Sequence, residues 1–461
     1  MSEGTLETLE PMPTLLKRIR NGQGGAFVAG QPVRLSRAPG RLDVMGGIAD
    51  YTGSLVCEMP LMEAVAAVSQ VRSDRRVVIE SLNLRDAGLR ADFDITLDEL
   101  ADLTLDELRE LLRSSRRTWA GYVIGCVWLL QEKGYLNLAD ANHEGLNLAL
   151  LSTVPGGAGV SSSAALEVAA MTNFIGHFGL TDLETDGVTI AILCQEVENR
   201  VVGAPCGLMD QMASSVGQQG SLMQMLCQPD EVQEPLTLPE GIAVIGINTN
   251  VKHSVGGGAY GKTRCAAFMG KTLLGDSAGD YLANVDADTY EQTLRATLPI
   301  TLGGDQFLDK HDSHGDTATK VEPSLDYHVR AATDHHVFEG TRVRKFARLL
   351  AEGTEESIAA AGQLMYESHA SYGDNAGLGA KEADLLVELV RERESAGLFG
   401  ARITGGGSGG TVAVLLKSSP RSAAAIDDVL HLYRQRTGLV PDLFNASSPG
   451  ATRLGTTQIS L

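Results

Sequence analysis

The chain predicts an α+β protein of two units divided near residues 230–240. Three observations carry this: strand-like runs dominate the first hundred residues, a buried strand pattern feeds a glycine- and serine-rich turn at the middle, and helices and strands segregate after residue 326. With 461 residues there is enough chain for two or three sizeable cores.

In order, residues 1–33 form a polar leader with one short amphipathic helix, and residues 34–235 form the first unit. VRLSRA, EAVAAVSQV and RRVVIESLN read as strands. Thr104-Leu-Asp-Glu107 is a capping box before ELRELLR, and TWAGYVIGCVWLLQEKG has helical periodicity. GLNLALLSTVP reads as a buried strand and VTIAILCQEVENRVVG as a helix. Residues 236–461 form the second unit, which opens on the strand IAVIGINTN and makes an acidic excursion at about 275–326 with little periodicity. Three helices, the strands GARIT and GGTVAVLL, and a closing helix SAAAIDDVLHLYRQRTG complete it.

A net charge of -20 argues against broad affinity for nucleic acid or anionic lipid. The start, MSEGTLETLEPMP, has neither a basic n-region nor an apolar h-region, and no window approaches a membrane span, so a cytoplasmic protein with no membrane partner is expected. Six scattered cysteines read as reduced, packed thiols.

The richest segment is Pro155-Gly-Gly-Ala-Gly-Val-Ser-Ser-Ser-Ala-Ala165, which runs into a helical pattern. Glycines let backbone amides close on an anion, and hydroxyls then sit over the unpaired N–H groups of a helix start. Its plain alternative is a serine-capped helix. Two other glycine motifs mislead. Gly256–Thr263 spells a Walker A sequence, but the polar VKHSV separates it from its strand; Gly405–Gly410 spells a dinucleotide fingerprint, but a strand follows where a helix is required.

RAPGRLDVMGGIADYTGSLV holds Arg37, Arg41, Asp43 and Asp50 among turn residues and reads as a site wall. CQEVENRVVGAPCGLMDQMAS sets Asp210 between methionines, as a buried cap or a catalytic carboxylate. His335, His336 and His369 read as surface or satisfied core groups, not metal ligands.

Together, Arg37–Pro60, Val154–Met171, Glu196–Ser214 and Gly400–Leu416 resemble the ordered signature motifs of GHMP small-molecule kinases of the galactokinase branch, and VKHSVGGGAYGKTR resembles that branch's sugar-contacting segment. The resemblance implies a two-domain GHMP kinase fold, with a ribosomal protein S5 domain 2-like N-terminal domain, a ferredoxin-like C-terminal domain and the active site between them. It also implies roles. Asp210 matches the catalytic Asp and Arg41 the Arg beside it. Gly156, Gly157, Gly159, Ser161, Ser162 and Ser163 match the ATP phosphate cradle, and Trp119 resembles an adenine-side aromatic, with a core Trp as the alternative. Glu198 and Ser163 match the Mg2+ ligands, while Glu196 is expected to face elsewhere. Asp50, Gly207 and Tyr260 match sugar contacts; Asp50 as a turn cap and Tyr260 as a helix-start aromatic are the alternatives.

Galactokinases carry Glu-His where this chain has Gly47 and Ile48, and those side chains hold galactose's hydroxymethyl group. Their loss suits L-arabinopyranose, which lacks that group, with Ile48 expected against a ring edge bearing only hydrogens. The segment also resembles the L-arabinokinase form of the motif. The resemblance thus implies an L-arabinokinase-like sugar 1-kinase using ATP and Mg2+. A galactokinase, a uronic-acid kinase and a non-catalytic sugar and ATP sensor are the alternatives. Oligomeric state is not encoded in any motif.

Overall fold

A computed structural model describes residues 5–251 and 258–461. Its larger sheet is built on two long antiparallel strands, Pro32–Met45 and Leu55–Arg72, whose inward faces are almost wholly buried. Strand Gly145–Ser152 pairs antiparallel with the second, Arg76–Ser81 runs parallel beside it, and Asp92–Thr96 closes that edge. Ser221–Leu226 pairs with the start of the second strand. The first pairing slips register between Pro39 and Arg41 and again between Asp43 and Met45. Such irregularities re-aim side chains, and these two flank the charged residues that reach the site.

Helices Gly121–Glu132, Ser162–Phe178, Gly187–Glu196 and Met209–Val216 cover this sheet, and the expected capping box at Thr104 forms. The helical run through residue 202 ends in a π-helical turn, Val197–Val202, which separates two neighbouring glutamates. Glu196 turns outward to Lys133 and Arg200; Glu198 is buried.

The second sheet is antiparallel in the order Leu398–Ile403, Thr411–Lys417, Ile242–Asn248, Asp442–Phe444. Helices Glu355–Asp374 and Lys381–Arg391 pack on it. The two sheets meet where Gly246 lies under Leu42: a Cβ on Gly246 would stand 3.2 Å from the Leu42 side chain.

Two expectations change and one is met. The second unit does not keep the chain's end, because Thr457–Ser460 returns to pair with Pro32–Leu35. The leader forms its one short amphipathic helix, Met12–Arg20, in which Met12, Leu15, Leu16 and Ile19 pack with Val33, Val68 and Leu151. The excursion has its own apolar cluster, with Leu282, Tyr290, Leu298 and Phe307 packed against Met269 of helix Gly258–Leu274 and Val329 and Val337 of helix Val329–Glu352. Its apolar residues are spaced for short helical turns, which a search for long periodicity misses. Among the described residues no helix is long and apolar enough to cross a membrane.

Candidate functional site

Arg41 and Asp210 come together although 169 positions separate them. Arg41 donates from Nε and Nη2 to Asp210 Oδ1 at 3.0 and 2.7 Å, and from Nη1 to the Gly159 carbonyl at 2.7 Å. Ser214 Oγ donates to the Pro39 carbonyl, joining the Asp210 helix to the Arg41 strand. Glu58, fully buried behind Arg41, makes an ion pair with Nε at 3.2 Å that lacks hydrogen-bond geometry. Burial opposes the Arg41 charge, but Asp210, Glu58 and Asp43 outweigh it and hold the guanidinium firmly protonated.

The glycine-serine turn leads into helix Ser162–Phe178. Its N-cap, Ser161, is left-handed at φ 59° and makes no capping hydrogen bond; its buried hydroxyl has no partner. The helix start therefore keeps amides free for an anion, which argues against the plain capped-helix alternative. The Gly405–Gly410 hairpin packs bare backbone onto this turn: a Cβ on Gly410 would stand 2.6 Å from the Ala158 carbonyl, and one on Gly405 2.7 Å from the Gly159 carbonyl. That hairpin is tied to the first motif through Asp43, which accepts from Gly405 N, Gly47 N and Arg402.

Three hollows are lined by these segments, and the first two adjoin. The first, about 460 Å³, is lined by Trp119, Tyr122, Asn83, Pro155, Gly156 and Leu166, with Ser162 and Ser163 at its inner end; Trp119 donates Nε1 to the Arg90 carbonyl. The second, about 380 Å³, shares Tyr122, Ser162 and Ser163 with the first and adds Gly157, Gly159, Ser161, Arg41, Asp210 and the hairpin glycines. The third, about 240 Å³, lies past the Asp210 turn and is lined by Asp50, Tyr51, Gln195, Gly207, Arg264 and Tyr281. Gly207 abuts Asp50 so closely that a Cβ would fall 1.6 Å from Oδ2. Tyr260 is half-buried and stands edge-on to Tyr51, with 6.1 Å between ring centres. Residues 252–257 of the VKHSVGGGAYGKTR segment lie outside the described residues. A separate hollow of about 330 Å³ by Lys262, His328 and Asp374 holds none of the expected site residues.

Glu198 sits in a setting suited to a cation. Burial, then the charge of Asp210, pushes its carboxyl up to about 7, while Ser163, Cys206 and Gln211 act the other way. Gln211 Nε2 donates to Glu198 at 2.7 Å and to the fully buried Glu167 at 3.1 Å. Oxygen donors with one or two carboxylates fit Mg2+, which keeps water and phosphate oxygens for its remaining positions. Among the described residues no group of three or more His, Cys, Asp or Glu forms a self-sufficient metal cage.

Gly47 and Ile48 require a correction. Neither lines the three hollows. A Cβ on Gly47 would lie 2.0 Å from the Tyr372 hydroxyl, and Ile48, 1% exposed, packs with Ile245, Ile247 and Tyr372. They belong to the seam with the second sheet, not to a ring edge. Arg37 is likewise structural, donating to the Glu10 and Met62 carbonyls and to Ser448. His335 and His336 are fully buried, bonded to Ser371 and to Tyr51 and Thr52.

Sequence reasoning did not single out Glu58, Glu167, Gln211, Tyr122, Arg264 or Asp316. Glu167, an acidic residue inside the apolar run ALEVAAM, was the one visible signal.

Burial pushes the Asp50 carboxyl up to about 7 from its usual 3.8, Arg264 only partly offsetting this. A raised carboxyl favours the fold while protonated, so wild-type stability falls as pH rises from about 4 through about 7. Asp50→Asn is expected to gain stability over wild type between pH 5 and pH 8, by about 2–3 kcal/mol. Denaturant midpoints at both pH values check this; a difference unchanged with pH refutes it.

The GHMP kinases N terminal domain model matches residues 121–218, and the GHMP kinases C terminal model residues 347–435. The chain is 35% identical to L-arabinokinase of Arabidopsis thaliana over 95% of its own length but 48% of that protein, so it spans about half of that relative. It is 33% identical to a galactokinase of Streptomyces coelicolor, covering 92% of each chain. Among solved structures, Lactococcus lactis galactokinase complexed with galactose matches with a TM-score of 0.70 at 22% identity, over 93% of this chain and 95% of that one. Methanococcus jannaschii mevalonate kinase matches at 0.57 and 12% identity, over 90% and 98%. These structural likenesses bear on the fold alone, and they agree with the two-sheet α+β architecture. The chain belongs to the GHMP kinase family, in its galactokinase branch and close to L-arabinokinase.

Proposed function

We propose that this chain is a sugar 1-kinase that transfers the γ-phosphoryl group of ATP to the anomeric hydroxyl of L-arabinose. The observation that carries the reading is the Arg41–Asp210 pair opening into the same hollow as an uncapped, serine-rich helix start. Adenine lies by Trp119, the phosphates lie over Gly156–Ser163, and the sugar lies by Asp50, Gly207 and Tyr260. Asp210 accepts the proton of the attacking hydroxyl, or orients it, and Arg41 stabilises the charge on the transferring group. Ser163 and Glu198 would hold Mg2+, which when bound would neutralise charge on the phosphate oxygens. The surroundings are acidic, so the backbone amides and Arg41 supply most of the local attraction for the nucleotide. Dependence on ATP favours a cytoplasmic protein.

For the sugar, kinship with L-arabinokinase and the absence of the Glu-His pair favour a pentose. Galactose is the second reading, favoured by the galactokinase relatives. Free sugars with Mg-ATP, scored for acid-labile 1-phosphate, test the assignment. L-Arabinose is expected to exceed galactose in kcat/KM by about 10- to 200-fold, the range packing alone supplies. A galactose preference overturns the assignment, and a wild-type chain that binds both ligands without transfer supports the sensor alternative.

A further inference from the structure

Arg264 stands in the wall of the third hollow, held from two sides. Its Nε and Nη2 donate to Asp316 Oδ2 and Oδ1 at 2.8 and 2.9 Å, and its guanidinium carbon lies 4.7 Å from the centre of the Tyr51 ring. Asp316 comes from the 275–326 excursion and is itself fixed, accepting from Thr319 Oγ1 at 2.6 Å and from Ala318 N at 3.2 Å. Both charged side chains are nearly shut off from solvent, 8% and 3% exposed. The excursion also supplies Tyr281 to this wall, packed so tightly on Gly53 that a Cβ there would fall 2.3 Å from the ring.

One nitrogen of this anchored guanidinium is left over. Nη1 is buried and has no hydrogen-bond partner, and in the wall of the same hollow Asp50 Oδ1 is buried without one. A buried donor and a buried acceptor left unmatched are each costly. A direct ion pair would relieve both, but neither atom has a partner within reach. A group that accepts from one and donates to the other satisfies the pair. A hydroxyl does both, whereas an ionised carboxylate or phosphate accepts from Arg264 but has no proton to give to Asp50.

We propose that Arg264 is a specificity-determining contact of the sugar site, donating to one ring hydroxyl that in turn donates to Asp50, and that Asp316 is the positioning residue that aims it. The inference rests on the sugar-kinase reading above. The excursion thereby acquires a role in recognition, since it carries the carboxylate that orients a substrate-reading arginine.

The test uses the full chain with L-arabinose, galactose and their monodeoxy analogues, comparing wild type with Arg264→Lys and Asp316→Asn. Lysine keeps the charge but cannot hold Asp316 in two places while presenting a third donor. Wild type is expected to lose about tenfold or more in kcat/KM on the one monodeoxy sugar that lacks the bridging hydroxyl. In Arg264→Lys the KM for the parent sugar is expected to rise about 10- to 100-fold, the KM for ATP to stay within about twofold, and the penalty on that monodeoxy sugar to shrink below about threefold. Asp316→Asn, nearly isosteric, is expected to give the same pattern in weaker form, and it decides the matter if Arg264→Lys does not fold. Variants that discriminate among the deoxy sugars as wild type does, or that raise both KM values equally, overturn the proposal while leaving the sugar-kinase reading intact. A wild-type chain that phosphorylates no sugar in the panel overturns that reading, and this inference with it.

Discussion

Asp210→Asn is expected to lower kcat by about 10²- to 10⁴-fold, the usual worth of a positioned proton acceptor. The KM values for sugar and ATP should move by less than about threefold, because the removed interaction matters chiefly in the transition state. The substitution is nearly isosteric, and the Asn oxygen can still accept from Arg41, which keeps its ion pair with Glu58. A folded, ligand-binding and nearly inactive protein is the expected result, read by steady-state kinetics and thermal midpoint. Retention of more than about a tenth of kcat would mean that Asp210 mainly orients the hydroxyl, as a loose phosphoryl-transfer transition state permits.

Gly47→Glu, alone or with Ile48→His, is expected to unfold or inactivate the protein before it redirects specificity. The new Cβ would meet the Tyr372 hydroxyl at 2.0 Å and Arg402 Nη2 at 2.7 Å, and Gly47 already has φ +34°. Tyr372 cannot easily withdraw, because it is fully buried, donates to the Gly405 carbonyl and accepts from Ile48 N. Overpacking and backbone strain together are expected to cost about 3 kcal/mol or more. A lowered thermal midpoint with activity lost toward every sugar checks this. A stable variant with new galactose activity refutes it, and would show that the Tyr372 seam can yield.

The same seam explains how far the sequence could be read. The glycine-serine turn, the strand before it and the capping box at Thr104 were legible because each depends on neighbours within a few residues. So were the outward face of Glu196 and the exclusion of a dinucleotide site at Gly405–Gly410, which turned on the strand that follows it. The placement of Ile48 was not legible. An apolar residue beside a glycine reads the same whether it meets a ligand or a second sheet, and only the docking of Ile245 and Ile247 against it decides. Asp316 was hidden for a similar reason: it acts on Arg264, 52 positions away, from a segment without long periodicity.

The order of motifs, and the residue types they carry, determined by themselves the family and the α+β class, because local patterning and short-range turn chemistry suffice to specify them. Tertiary structure alone decided which charged groups share a crevice, that the last strand closes the first sheet, and that the excursion reaches the hollow beside Asp50 and Arg264. Those outcomes depend on contacts between segments tens to hundreds of residues apart. Burial and electrostatics act through space, and one sequence does not state which distant segments will meet.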